Sequence, residues 1–270
     1  MPYQLDKFQY GLEKMNIMLS EKQLNQFLTF YELLIEKNKV MNLTAITEFQ
    51  EVVEKHFLDS LSLVRVISED RQNNITGAVL DFPHDMPNAK MGATWGMKSE
   101  NKIKVLDLGT GAGFPGIPLK IVFPELEMTL MDSLNKRVLF LQEVISELDL
   151  SFVVAVHGRA EEMARKPEYR EQFGLCISRA VANLSSLSEY CIPFVKKGGM
   201  FISYKSGEVE EEVDMAKNAV QVLGGRICQI DKFVLEGTEL SRSFVKIRKI
   251  SSTPGTYPRR AGTPAKRPIK

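Results

Sequence analysis

A short apolar run that ends in alternating glycines, at residues 103–116, constrains the fold of this chain more than any other stretch. Residues 103–108 are typical of a buried parallel strand, and the apolar residues 117–122 have helical character. A strand, a glycine turn and a helix start in this order place several unpaired backbone N–H groups around a space that the glycines keep open. The stretch therefore predicts a site for a nucleotide-type cofactor.

Two cofactors are compatible with the glycines. The spacing of Gly111, Gly113 and Gly116 matches the dinucleotide fingerprint, with Asp132 downstream as the acid that binds a ribose. Residues 107–113 (DLGTGAG) instead resemble the first motif of class I S-adenosylmethionine methyltransferases. That resemblance implies that the acid and the glycine loop hold the methionine half of the cofactor. The glycine pattern alone does not decide between the two.

The order of the remaining patterns predicts the architecture. Apolar residues at helical spacing over residues 1–70 indicate an N-terminal helical cap. Predicted strands and helices alternate over residues 103–250, and the last two strands, 227–233 and 244–250, are typical of an antiparallel hairpin. This alternation predicts an α/β fold with a Rossmann-like, mostly parallel sheet, which binds ligands at the carboxyl ends of its strands.

Two stretches fall outside this alternation. Residues 71–102 contain scattered Asn, Gly and Pro with little periodicity, which predicts a loop or insertion. Residues 251–270 form a C-terminal tail that carries five basic residues and no acid from Tyr257 onward. The interleaved prolines predict a non-helical tail that docks on a phosphate backbone, although a charged terminus is more often simply solvated.

Composition and charge restrict the class of protein. The formal net charge is only +1, so no overall field indicates a polyanionic partner. Cys176, Cys191 and Cys228 are odd in number and widely spaced among apolar residues, as expected for reduced core thiols. No group of His, Cys and carboxylates has metal-ligand spacing, and no apolar run is long enough to cross a bilayer. We expect a cytoplasmic enzyme with no metal and no membrane partner.

Polar residues follow the predicted strands at the positions where ligands bind. Asp132 can accept both ribose hydroxyls of an adenosine, although the helix dipole also favours an acid there, and Ser133 is a predicted N-cap. Ala160 and Glu161 follow the third strand, where class I methyltransferases contact adenine. Arg179 follows the fourth strand and can bind a guanine edge or the cofactor carboxylate; its alternative is a salt bridge at the sheet rim. Together these residues favour S-adenosyl-L-methionine.

A missing motif restricts the methylated atom. Class I enzymes that methylate an exocyclic amine usually place an Asp/Asn-Pro-Pro-aromatic run after the fourth strand, and this chain has Ser178-Arg179-Ala180 there. A ring nitrogen such as guanine N7 has a free lone pair and needs no proton removed before it attacks a methyl sulfonium. Proximity and orientation can then supply most of the catalysis. A carboxylate such as Asp59 is expected to stabilise the positive charge that the ring gains.

Several segments together resemble the bacterial small-subunit ribosomal RNA guanine-N7 methyltransferase family, also called the glucose-inhibited division protein B family. The resemblance covers nearly the whole chain except residues 71–102, and few other families combine these motifs in this order. The segments are residues 41–45, 56–60, 107–118, 132–137, 158–162, 178–182 and 257–268.

The resemblance implies a class I methyltransferase fold with an N-terminal helical cap, acting on 16S ribosomal RNA or the small ribosomal subunit. With the residue patterns above, it gives three sets of candidate site residues. The catalytic candidates are Arg179, Asn42, His56 and Asp59. The cofactor-binding candidates are Gly109, Gly111, Phe114, Asp132, Ser133, Ala160, Glu161 and Arg179. The RNA-binding candidates are Lys136, Arg137, Arg259, Arg260, Lys266 and Arg267.

Other interpretations remain open at this point. A lone histidine on a half-apolar helix, such as His56, is more often a core residue than a catalyst. An NAD-dependent oxidoreductase would use the same glycine turn, but the chain lacks an obvious hydride-transfer site with a general acid. A protein that binds RNA or the ribosome and has kept the pocket without activity is the non-enzymatic alternative.

Overall fold

A seven-stranded sheet forms the centre of the molecule. The computed structural model describes residues 3–66, 103–179 and 182–270, so the predicted loop or insertion at residues 71–102 lies outside the described residues. The strands are β1 (Lys104–Leu108), β2 (Glu127–Asp132), β3 (Val153–His157), β4 (Phe173–Ser178), β5 (Val195–Ser206), β6 (Gly225–Val234) and β7 (Ser241–Lys249).

The strands lie in the order β3-β2-β1-β4-β5-β7-β6. The first five pair in parallel, whereas β7 lies antiparallel between β5 and β6. These pairings confirm the predicted mostly parallel α/β fold class and its terminal antiparallel hairpin. The chain order reverses between β1 and β4, and such a switch point opens a crevice at the carboxyl ends of the strands.

Helices precede the sheet and connect its strands. A π-helical segment, Val53–Leu58, joins the short helices Phe49–Val52 and Asp59–Leu61 into one continuous helical segment. The helices are α1 (Asp6–Lys14), α2 (Glu21–Met41), α3 (Phe49–Val52), α4 (Asp59–Leu61), α5 (Gly116–Val122), α6 (Asn135–Glu147), α7 (Ala160–Met163), α8 (Leu184–Cys191), α9 (Glu210–Val222) and α10 (Thr263–Lys266).

Helix α2 has defined ends because the sequence supplies caps at both. The Ser20 side chain accepts from the Gln23 N–H at 3.2 Å, and the Gln23 side chain accepts from the Ser20 N–H at 2.9 Å, which is a capping box. At the other end Asn42 adopts a left-handed conformation (φ 51°) and stops the helix.

Each face of the sheet packs against a separate apolar core, because alternate residues of a strand point to opposite faces. Val105 joins the core that contains the N-terminal helices, α5 and α6, whereas its neighbour Leu106 joins the core under α8 and α9. The same alternation holds for Ile177 and Cys176 in β4. The N-terminal helices therefore cover one face of the sheet directly.

Three local predictions are wrong. Ser133 is not the N-cap of α6, because the helix begins after Leu134, whose N–H donates to Asp132 Oδ1 at 2.9 Å. Cys228 is an exposed thiol in β6 rather than a core residue. The tail is not wholly non-helical, since Thr263–Lys266 forms one helical turn.

Candidate active site

The N–H groups of the glycine turn between β1 and α5 donate to acceptors in the turn itself and in strands β1 and β2. The N–H of Gly111 donates to Asp132 Oδ2 at 3.0 Å, and that of Gly116 donates to Asp107 Oδ2 at 2.8 Å. Backbone carbonyl groups accept the other donors: Gly109 and Thr110 donate to Met131, and Gly113 and Phe114 donate to Thr110. The prediction of several unpaired N–H groups is therefore wrong, because two acids and nearby carbonyl groups take up these donors.

Asp107 anchors the turn from inside the protein. It is fully buried, and its Oδ2 accepts from the Thr110 hydroxyl at 2.7 Å as well as from the Gly116 N–H. Burial raises the pKa of this carboxyl to about 6. Asp107 thus fixes the backbone that forms the floor of the crevice.

A Gly116→Ala variant is expected to lower the free energy of unfolding by about 1–3 kcal/mol, because overpacking strains a filled core. A Cβ at Gly116 would clash with Leu130 Cδ2 and would lie 2.7 Å from Asp107 Oδ2. The matched control is Gly255→Ala, where a Cβ meets nothing within 4 Å. Urea unfolding of both variants checks this, and equal stabilities would contradict it.

A cavity of about 570 Å³ opens at the carboxyl ends of β1, β2, β3 and β4. Its volume lies in the range of small-molecule sites. Six of the predicted cofactor residues line it, whereas Gly111 and Phe114 do not, and Arg137, predicted to bind RNA, does. The lining residues are Leu108, Gly109, Met131, Asp132, Ser133, Arg137, Gly158, Arg159, Ala160, Glu161, Arg179, Ala182, Leu187, Tyr190, Gly262 and Ala265.

The chemistry of this lining suits S-adenosylmethionine. Leu108, Met131 and Leu187 offer apolar surface to an adenine ring, and the carboxylates of Asp132 and Glu161 can accept from ribose or adenine donors. Asp132 is only 3% exposed, and it also accepts from the turn, so its position is fixed before a ligand binds. The residues present therefore fit this cofactor.

Arg179 is held in place by groups from the N-terminal helices. Its Nη1 donates to Asp59 Oδ2 at 2.9 Å and to the Lys55 carbonyl at 3.0 Å, and its Nη2 lies 3.2 Å from His56 Nδ1. Its guanidinium carbon also lies 5.2 Å from the ring centroid of Phe114, in reach of a cation–π contact. Phe114 thus supports Arg179 rather than lining the cofactor cavity.

His56 is a neutral support for this arginine. Its ring stacks on Phe114 with centroids 4.4 Å apart, and its Nε2 lies 2.9 Å from Thr44 Oγ1. Burial, with Arg179 nearby, lowers the pKa of His56 to about 3. Nδ1 also lies 3.1 Å from the Lys55 carbonyl. Arginine can only donate, so Nδ1 accepts from Arg179 when the ring proton is on Nε2, and it donates to the Lys55 carbonyl when the ring proton is on Nδ1.

This lowered pKa predicts a loss of stability in acid. The unfolded chain protonates His56 near pH 6.5, while the folded chain resists protonation down to about pH 3. The unfolded state therefore binds more protons in that window. The free energy of unfolding should fall as the pH falls through it, by up to about 1.4 kcal/mol per pH unit from this group.

The test compares urea unfolding of the parent chain and a His56→Gln variant at several values of pH across that window. We expect a shallower decline in the variant. Burial raises the pKa of Asp107, which gives the opposite slope, but both proteins carry that contribution and it cancels. His157→Gln, at an exposed position at the end of β3, is the matched control. Parallel curves for parent and His56→Gln would contradict the prediction.

Asp59 joins Arg179 to a second arginine that the sequence did not reveal. Arg242 Nε, in β7, donates to Asp59 Oδ1 at 2.6 Å, so each carboxylate oxygen faces one guanidinium. These groups border a second cavity of about 480 Å³, which shares Arg179 with the first. The second cavity is lined by Asp59, Arg179, Asn183, Tyr204, Lys205, Ser206, Glu212 and Arg242.

Of the remaining candidates from α2 and α6, Asn42 and Lys136 line neither cavity, whereas Arg137 lines the first. Asn42 is exposed at the end of α2 and lines neither cavity. Lys136 donates to the neighbouring Met41 carbonyl at 3.0 Å and so ties α6 to α2. Arg137 pairs with Asp132 at 3.4 Å, which places it at the cofactor cavity. The structure therefore brings His56, Asp59 and Arg179 together and leaves Asn42 apart.

The basic tail folds back onto the body of the protein. Arg259, predicted to bind RNA, forms an ion pair with the buried Glu189, with Nη2 2.6 Å from Oε2. Arg260, Lys266 and Arg267 remain exposed. The predicted contact of Arg259 with RNA stays untested, but the structure gives its side chain a partner within the chain.

Over residues 3–66, 103–179 and 182–270, no helix combines the length and apolar character needed to cross a bilayer. Within those same ranges, no three His, Cys, Asp or Glu side chains are grouped so that they could hold a metal ion.

Comparison with known proteins identifies the family. The model of the GidB family, described as rRNA small subunit methyltransferase G, matches residues 23–81 and 93–243. A protein named ribosomal RNA small subunit methyltransferase G from Lachnoclostridium phytofermentans is 48% identical over 97% of this chain and 96% of its own length. A protein of that name from Alkaliphilus metalliredigens is 44% identical over 96% of each chain. This chain belongs to the GidB family of small-subunit rRNA methyltransferases.

Proposed function

We propose that this chain transfers a methyl group from S-adenosyl-L-methionine to N7 of a guanine in the 16S ribosomal RNA of the small ribosomal subunit, in the cytoplasm. The observation that carries the proposal is Arg179, which borders both a cavity that fits the cofactor and a polar cavity suited to a base. The names of the relatives support a methyltransferase that acts on small-subunit RNA.

Residues of the first cavity would hold the cofactor. Bound S-adenosylmethionine supplies an electrophilic methyl group on a sulfonium sulfur. Asp132 and Glu161 are suited to its ribose and adenine, and Gly109 brings backbone close to the methionine half. Because the turn is already hydrogen-bonded, these residues need little rearrangement to bind it.

The second cavity is suited to guanine. Arg179 can donate to guanine O6, and the Glu212 carboxylate can accept from the N1–H or the exocyclic amine. N7 carries no proton, so the reaction requires no general base. The buried, neutral His56 agrees with this, because it supports Arg179 rather than transferring protons.

We assign Asp59 a role other than the stabilisation of the product charge that was expected from the sequence. Both of its oxygens are paired with guanidinium groups, so its negative charge is already balanced and cannot be the main stabiliser of a cationic product. Asp59 acts through Arg179 and Arg242, which makes it a positioning residue.

Exposed cations around the site would bind the RNA backbone. Arg260, Lys266 and Arg267 are exposed on the tail next to the cofactor cavity, and Lys136 lies at the rim between α2 and α6. Contacts of this kind release counterions, so affinity for RNA should fall steeply with salt.

The test is to incubate the protein with methyl-labelled S-adenosylmethionine and either naked 16S RNA or small subunits from a strain that lacks the activity. Mass mapping of the labelled nucleotide should locate the methyl group on guanine N7. Label on another atom, or in another RNA, would contradict the proposal. Binding of NAD in place of S-adenosylmethionine would favour an oxidoreductase. Cofactor and RNA binding without transfer would indicate an inactive binding protein.

A further inference from the structure

We infer that the C-terminal segment, residues 257–267, forms a wall of the cofactor site and that its docking is coupled to cofactor binding. The inference rests on the proposed function, since it deepens the description of the same site. Gly262 and Ala265 line the first cavity together with residues that follow β1, β2 and β3. The tail thus closes a side of the cavity that the strands leave open.

A direct hydrogen bond joins the tail to a cofactor residue. The Gly262 N–H donates to Glu161 Oε1 at 2.9 Å, and Glu161 is only 8% exposed. A carboxylate has two oxygens, so Glu161 can accept from the tail through one and from an adenosine donor through the other. Glu161 therefore links the position of the tail to the position of the ligand.

The tail is anchored by a buried ion pair next to this bond. The Arg259 backbone N–H donates to Glu189 Oε1 at 2.7 Å, and the guanidinium Nη2 donates to Oε2 at 2.6 Å. The Glu189 side chain is fully buried, so its charge needs this partner. Further along, the Ser186 hydroxyl donates to the Pro264 carbonyl at 2.7 Å.

These contacts predict reciprocal coupling. If the docked tail improves the fit of the cofactor, then the bound cofactor must stabilise the docked tail by the same free energy. A tail that served only to bind RNA phosphates would show no such effect on cofactor affinity.

The first measurement is the Kd of S-adenosylmethionine for the full chain by calorimetry, without RNA. We expect Arg259→Ala to raise this Kd about tenfold or more, within the usual range of coupling. Arg226→Ala, at an exposed arginine of β6, is the matched control and should stay within about twofold.

The second measurement uses no variant, so its result does not depend on whether Arg259→Ala folds. Hydrogen exchange of the unmodified chain, with and without S-adenosylmethionine, should show slower exchange at the Gly262 N–H when the cofactor is bound. An unchanged exchange rate, or an Arg259→Ala variant that folds and keeps the parent Kd, would overturn the inference. If the parent chain does not bind the cofactor, the proposed function fails and the inference fails with it. Binding by the parent with no effect of the tail overturns only the inference.

Discussion

An Arg179→Ala variant is expected to methylate 16S RNA about 10²–10³-fold more slowly than the parent chain, the usual effect of removing one preorganised donor from an active site. Arg179 borders both cavities, and four groups contact its guanidinium: the Asp59 carboxylate, the Lys55 carbonyl, the His56 ring nitrogen Nδ1 and the Phe114 ring. Its guanidinium is therefore oriented before the cofactor or the RNA binds, which is the condition for a large catalytic contribution.

Single-turnover methylation with saturating cofactor is the measurement. Arg179→Lys should recover little of the lost rate, because a lysine ammonium cannot reproduce the planar fork in which Nη1 donates to Asp59 and the Lys55 carbonyl while Nη2 reaches His56. Arg226→Ala serves again as an exposed control. If Arg179→Ala retained more than about a tenth of the parent rate, Arg179 would be a structural salt bridge at the sheet rim.

Removal of Asp59 is expected to cause the largest loss of stability, about 3 kcal/mol for Asp59→Ala. The Asp59 side chain is 5% exposed, and its two partners, Arg179 and Arg242, are each 19% exposed. Without the carboxylate, two like charges would face each other in a poorly solvated space. Asp59→Asn keeps the shape but not the charge, so most of the loss should remain.

Urea unfolding of these variants tests the prediction against a surface ion pair in the same protein. Asp214→Ala breaks a pair with Lys217 in which both side chains are about two-thirds exposed (68% and 67%). Such a pair contributes only about 0–1 kcal/mol. A loss for Asp59→Ala no larger than that for Asp214→Ala would show that the cluster is solvated and of little importance for folding.

The fold and part of the site could be predicted because their signals are local. Apolar runs mark the buried strands, and the chain places Asp132 at the end of β2 and Arg179 directly after β4. Parallel strands then bring their carboxyl ends to one edge, so residues far apart in sequence converge without further information.

Arg242 could not be predicted because its contact is long-range. It lies in an antiparallel strand near the sheet edge, 183 residues from Asp59 in sequence, and nothing around it resembles a motif. Likewise, the contact of Phe114 with Arg179 depends on how the N-terminal helices cover the turn. Neither contact can be predicted from the local sequence.

The tail was predicted to be non-helical because prolines interrupt it, and its cations favoured docking on a phosphate backbone or, alternatively, a solvated segment. In the structure the tail packs against the protein itself, and one helical turn forms where Pro264 is buried, with its carbonyl accepting from Ser186 of α8. This docking could not be predicted because the partner of Arg259 is Glu189, which lies in α8. The sequence pattern of α8 indicates only a helix that connects two strands.

The N-terminal helices share their apolar core with one face of the sheet, and this bears on how the protein can be divided. Phe27, Phe57 and Leu34 belong to the same core as Val105 and Leu130. A fragment that began at residue 103 would expose that face of the sheet to water, and a broad apolar surface of this kind promotes aggregation. The N-terminal helices are therefore needed to keep the sheet covered. For laboratory expression, the helices and the sheet should be kept in one polypeptide.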